Sequence, residues 1–232
     1  GELDRADLTR CTALFANCDN WEEQSGGHKY SDVAQRKVRE FVAGGGYLYA
    51  SDWALKDLLE DAFPGYLKRN GCVGDDFCTE VGPIRGTAWQ PLLRGVFETE
   101  VEKKAETRAA RIEFRHTWQV GMTAYLFQWD REKVGVLVEA GSVEKVYPFA
   151  TGDPTGPREH VPVVVTFRFG EGGGGGPFTD LARCKGGRVI HVLWHFAEQK
   201  SDLTGKRGEY ALQNLLLNFL IEAKEFRKLR RQ

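Results

Sequence analysis

The chain has 232 residues, 41% hydrophobic and 28% charged, which is enough apolar content to bury a real core and far from the composition that keeps a chain disordered. Its 32 Lys and Arg against 33 Asp and Glu leave a net charge of −1, so no global basic field exists to attract nucleic acid or anionic lipid. The longest apolar run, Leu215 to Ile221 with Asn218 inside it, falls far short of the roughly 20 residues of a membrane helix, which predicts a soluble protein.

The first residues lack the basic start and apolar core of a signal peptide, and the sole methionine is Met122, so the amino terminus is expected to be truncated. Five cysteines (Cys11, Cys18, Cys72, Cys78 and Cys184) make an odd number in a chain too large to need stapling, which predicts a reducing cytoplasm. Cys11 to Cys18 is a short apolar run that reads as a buried strand entering a loop. From Ser31, the spacing of Ala34, Val38, Phe41 and Val42 predicts a helix, stopped by Gly44, Gly45 and Gly46. Tyr47 to Ala50 reads as a second buried strand and Ala54 to Ala62 as a second helix, with Pro64 just beyond. This alternation predicts a parallel sheet covered by helices on both faces.

From about Gly65 to His160 the chain is rich in Gly, Pro and charge and reads as extra strands and loops attached to the sheet. Within it Glu98 to Arg111 is helix-compatible, Tyr125 to Trp129 and Val134 to Val138 read as strands, and Gly152 to Pro157 is a turn cluster. Val161 to Phe169 is a strong strand, Gly172 to Gly176 a glycine loop, and Val189 to Trp194 the most buried-looking strand. A helix from about Glu209 shows Leu212, Leu215, Leu216, Phe219 and Leu220 on one face and ends in a basic tail, Lys224 to Arg231. That tail reads as a solvated terminus complementing the helix dipole, with contact to a partner as the sharper alternative.

The glycines do not make a phosphate cradle. Gly44 to Gly46 follow a helix and precede a strand, the reverse of a dinucleotide site, and no Gly-x4-Gly-Lys-Ser/Thr occurs. No cofactor is called for. His191 and His195 lie on a strand, roughly 13 Å apart, and cannot share an ion. Cys72, Asp75, Asp76, Cys78 and Glu80 match no zinc spacing, so no metal is assigned.

In open parallel sheets ligands bind beyond the carboxyl ends of the strands. Three such ends carry reactive groups: Asn17, Cys18, Asp19 and Trp21 after the first strand, Ser51, Asp52 and Trp53 after the second, and His195 and Glu198 after the late one. Cys18 or Ser51 as nucleophile, His195 as base and Asp52 or Glu198 as its orienter would make a catalytic set. Asn17, Asp19, Trp21 and Trp53 would line the ligand. Each has a plainer reading too: Ser51 and Asp52 suit a helix start, Cys18 a small buried hydrophobe, His195 a hydrogen-bonded structural imidazole and Glu198 a solvated carboxylate.

The block Phe41 to Asp52 (FVAGGGYLYASD), followed much later by Gly187 to His195 (GRVIHVLWH), resembles the class I glutamine amidotransferase-like superfamily, and within it the ThuA-like and related non-classical members. The resemblance implies one α/β domain over residues 1–232, a flavodoxin-like three-layer sandwich with a mostly parallel sheet and a β-rich elaboration over 65–160. It also implies that the turn after the second strand is the elbow which, in true amidotransferases, carries the nucleophilic cysteine, and that His195 and Glu198 occupy the family's His and Glu region. Here that turn is Ser51-Asp52-Trp53, without a cysteine, and the spacing is His-x-x-Glu rather than His-x-Glu. The family opens with a strand and helix that would precede residue 1. These departures favour a degenerate domain acting as a ligand-binding or protein-interaction module of a larger protein or complex. The alternative is a hydrolase or acyl-transfer enzyme using Cys18 or Ser51. Expected partners are another protein, or the rest of a larger chain, and a small-molecule ligand, with no membrane and no nucleic acid.

Overall fold

A computed structural model of the chain describes residues 2–17, 30–73, 77–84, 87, 90–97, 116–120, 123–143, 146–148, 158–171, 176–193 and 201–231. A short α1 (Glu2–Arg5) precedes β1 (Ala13–Ala16) and α2 (Asp32–Ala43). Ser31 caps α2, its Oγ accepting from the Ala34 amide at 3.1 Å. The glycines stop α2 as expected: the Gly46 amide donates to Phe41 O at 2.8 Å and the Gly45 amide to Val42 O at 2.9 Å, with Gly45 at φ +102°. This is the Schellman ending, and it needs a residue free to enter the left-handed region. The chain turns directly into β2 (Tyr47–Ser51), all five residues of which are buried.

After β2 comes a π-helical turn (Leu55–Leu59) running into a single α-helical turn, α3 (Glu60–Ala62), where a plain helix was expected. Then follow β3 (Leu67–Val73), β4 (Phe77–Pro83), β5 (His116–Val120), β6 (Thr123–Trp129), β7 (Val134–Val143), β8 (Val146–Pro148), β9 (Arg158–Phe169), β10 (Gly187–Val192) and α4 (Ser201–Leu229). The stretch of Cys72 and Cys78, read as part of a loop-rich region, lies on β3 and β4. The last helix begins eight residues before its expected start near Glu209, because Gly205 and Gly208 weaken its first turns as a sequence signal. The segments Glu98 to Arg111, Gly152 to Pro157 and Gly172 to Gly175 lie outside the described residues.

One sheet runs in the order β1-β2-β10-β9-β7-β4-β5, and a second, smaller one in the order β6-β3-β8. The expected three-layer α/β sandwich and its β-rich elaboration are both present. Together they make the main sheet mixed: β2 pairs in parallel with β1 and β10, and every pairing from β10 to β5 is antiparallel. Side-chain alternation sorts β2 between the layers. Leu48 and Ala50 join Val38 and Val42 of α2, Leu58 of the π turn, and Val189 in one cluster. Tyr47 and Tyr49 join Ile190, Val192 and the Leu215, Phe219 and Phe226 face of α4 in the other.

The α4 face contains a buried charge cluster. Arg168 of β9 and Arg188 of β10 stand directly opposite each other in the antiparallel register, a repulsive arrangement by itself. Glu222 of α4 resolves it with one oxygen: its Oε1 accepts from Arg168 Nη2 at 2.7 Å, Arg188 Nε at 2.6 Å and the Tyr47 hydroxyl at 2.8 Å. Burial, reinforced by that carboxylate, raises the Tyr47 phenol's pKa and keeps it protonated as a donor. Nearby, the tail arginines reach the chain's own backbone: Arg227 Nη1 donates to Arg10 O and Thr12 Oγ1, and Arg230 Nη1 to Gly44 O at 3.0 Å.

Removing one partner from a buried ion cluster strands the others, so Glu222→Ala is expected to lower the unfolding free energy by about 3–5 kcal/mol. Urea unfolding at pH 7 checks this, and a loss below about 1 kcal/mol would place the cluster among weak surface pairs.

Candidate functional site

Because β1, β2 and β10 run parallel, their carboxyl ends come together at one edge of the sheet, where Asn17, Ser51 and Val192 stand side by side. Ser51 is 1% exposed, and its Oγ donates to Oδ1 of the exposed Asn17 at 3.2 Å. Those two expected site residues are therefore in direct contact. Asp52 is wholly buried and sits at φ +50°, the left-handed region that costs most side chains about 1–2 kcal/mol but that Asp and Asn tolerate. It opens the three-residue link, Asp52 to Ala54, between β2 and the π turn, and is the elbow. The N-cap position of the π turn falls on Ala54, which offers no side-chain cap.

Backbone bonds fix the elbow from both sides. The Asp52 amide donates to Val192 O at 3.0 Å, extending the β2–β10 ladder by one residue, and the Asp52 carbonyl accepts from the Leu55 amide at 3.1 Å. Trp53 is half-buried against the α2-side cluster, with Lys56 Nζ 5.8 Å from its ring centroid. Cys18, Asp19, Trp21, His195 and Glu198 lie outside the described residues.

One residue of this region was missed in the sequence. His191, weighed there only as a metal partner of His195, is fully buried in β10, and its Nε2 lies 3.1 Å from the Asp52 carbonyl oxygen. Burial lowers its pKa to about 4, so the ring is neutral at pH 7. A carbonyl only accepts, so Nε2 carries the proton and Nδ1 is the bare nitrogen. The available signal was a lone polar side chain in the apolar run Val189 to Leu193. Among the described residues no three His, Cys, Asp or Glu side chains group to hold a metal ion, and no helix is long and apolar enough to cross a membrane. Chemically, this end of the sheet presents an amide and a hydroxyl bonded to each other above a buried carboxyl and a neutral imidazole.

No protein-family profile and no curated protein matches the sequence. Solved structures do resemble it. The β-galactosidase from Bacillus circulans sp. alkalophilus superposes on 95% of this chain with TM-score 0.51 and 13% identity. The β-galactosidase from Rahnella sp. R3 matches 95% with TM-score 0.51 and 11% identity. This chain spans 24% of the length of each of those enzymes. A ThuA-like protein from Bacteroides uniformis matches 95% of this chain and 74% of its own, with TM-score 0.50 and 12% identity. At such identities the likeness is one of fold, an α/β sandwich shared with these structures.

The buried imidazole predicts a pH dependence. With a folded pKa near 4 and an ordinary value of 6.5, the unfolded chain binds the extra proton between those values. The stability tied to neutral His191 is thus full above pH 6.5 and is lost as pH falls toward 4. Between pH 7 and 4.5 the wild type should lose about 2–3 kcal/mol more than the non-titrating His191→Gln. Parallel urea-midpoint profiles for the two proteins would contradict the burial.

Proposed function

We propose that the chain is a degenerate glutamine amidotransferase-like domain that serves as a ligand-binding or protein-interaction module of a larger protein or complex, in a reducing cytoplasm. One observation carries this reading: the elbow holds no reachable nucleophile. Acyl transfer needs an activated group that the substrate can touch. Ser51 is buried with its hydroxyl proton directed at Asn17, and Asp52 fills the elbow with its whole side chain enclosed. A further fact supports it. The same fold occurs as about a quarter of much longer chains.

Covalent probes test the reading. The protein is treated with a fluorophosphonate and, separately, with iodoacetamide near pH 7, alongside His195→Ala, and adducts are mapped by mass spectrometry. No adduct is expected on Ser51, exposed Cys11 should label readily, and the rate at Cys18 should be the same with and without His195. A stoichiometric Ser51 adduct, or fast Cys18 labelling lost in His195→Ala, would establish the enzyme instead.

A further inference from the structure

A cavity of about 560 Å³ opens on the α4 side at the amino end of β10, the end of the sheet opposite the elbow. Arg168 and Arg188 form its charged wall, 1% and 4% exposed, together with Glu222. Over the whole lining the charges balance, Arg94, Arg168 and Arg188 against Asp180, Glu222 and Glu225, but the buried part of the wall sets two guanidinium groups against the one carboxylate of Glu222. Arg188 already directs Nη1 to Thr166 Oγ1 and the Pro177 carbonyl and Nε to Glu222. Arg168, by contrast, keeps its Nε buried without a hydrogen-bond partner among the described residues. A buried donor left unmade and a buried charge left unbalanced are both costly, and one ligand corrects both: an oxyanion.

The two exposed carboxylates of the rim are engaged away from the buried arginines. Asp180 caps the following turn through the Ala182 amide at 2.9 Å, and Glu225 pairs with Lys228 at 2.6 Å. The remaining walls are largely apolar, with Leu92, Phe178, Leu181 and Ile221 facing the space. The volume is that of a small-molecule site.

We infer that this cavity is a binding site for a small organic acid, its carboxylate held by Arg168 and Arg188 and its apolar body packed between Phe178, Leu181 and Ile221. Arginine suits the task because its planar fork matches a carboxylate. The site is built from β9, β10 and α4 and is independent of the elbow, so it stands or falls apart from the module reading.

Benzoate is the probe, with inorganic phosphate and potassium chloride at equal ionic strength as comparison arms, and thermal unfolding of the full chain as the readout. Benzoate should raise Tm with concentration, beyond the chloride effect, by mass action on the folded state. Glu222→Gln removes the competing carboxylate, so it should bind benzoate more tightly, on the order of tenfold, despite its lower intrinsic stability. Ile221, 51% exposed on α4, can be enlarged without disturbing the core, and Ile221→Trp should abolish the benzoate shift while leaving the unliganded Tm unchanged. Phosphate, lacking an apolar body, should act at least about tenfold more weakly. Benzoate no better than chloride in both wild type and Glu222→Gln overturns the site. So does a benzoate shift that survives Ile221→Trp, or phosphate binding as tightly as benzoate.

Discussion

Two arginines that face each other across neighbouring strands cannot stay buried unless something negative reaches both, and in this protein that something is a single oxygen of Glu222. The constraint reaches well beyond the charges. Glu222 lies on α4, so satisfying Arg168 and Arg188 fixes where along the sheet the last helix docks. With that register set, Phe219 and Phe226 stack against Tyr47 at centroid distances of 5.3 and 5.8 Å. Nearer the start of α4, Asn214 and Asn218 tie it to the carbonyls of Gly95, Leu92 and Arg94, anchoring the segment between β4 and β5. Electrostatics here sets position more than it adds stability, since a hydrophobic replacement of the whole cluster could match its energy but not its register.

The opposite face depends on closeness rather than charge. A Cβ on Gly187 would fall 1.8 Å from Gly46 O, so β10 can start beside the α2–β2 turn only with glycine there. That contact seats β10 next to β2, and His191 and Val192 then arrive level with Ala50 and Ser51. Both hydrogen bonds that β10 makes to Asp52, from the imidazole and through the Val192 carbonyl, follow from this seating. One strand therefore links the two ends of the sheet: Arg188 belongs to the charged cluster and His191, three residues on, to the elbow.

Legibility in the sequence followed how a residue earns its burial. α2, β2, β10 and the apolar face of α4 were readable because each presents an unbroken or helically spaced apolar face to the core. The strand β9 was equally readable, yet its direction was not, since a strand buried on both faces looks the same in parallel and antiparallel company. β3 and β4, carrying Lys68, Arg69, Asn70 and Glu80, show no such face and pair with β6 and β7, far along the chain. Arg168 and Arg188 were hidden for a related reason. Each flanks an apolar run as an ordinary strand end, and only the fold brings Glu222 to them. At the elbow, Ser51 and Asp52 were found from turn chemistry, whereas His191 was passed over because a strand made it useless for metal.

A preserved elbow is not by itself evidence of catalysis. The turn from β2 into the next helical turn runs over Asp52, Trp53 and Ala54, and it takes the left-handed conformation at position 52. Bonds from the Leu55 amide, to the Val192 carbonyl and from the His191 ring fix its backbone. What separates an enzyme from a module on such a scaffold is the side chain at the elbow and whether a substrate can reach it. Here that side chain is an enclosed carboxyl beside an imidazole that is neutral and fully buried. The features that make an active elbow precise, a left-handed residue pinned by its neighbours, are thus present here around a side chain that solvent does not reach.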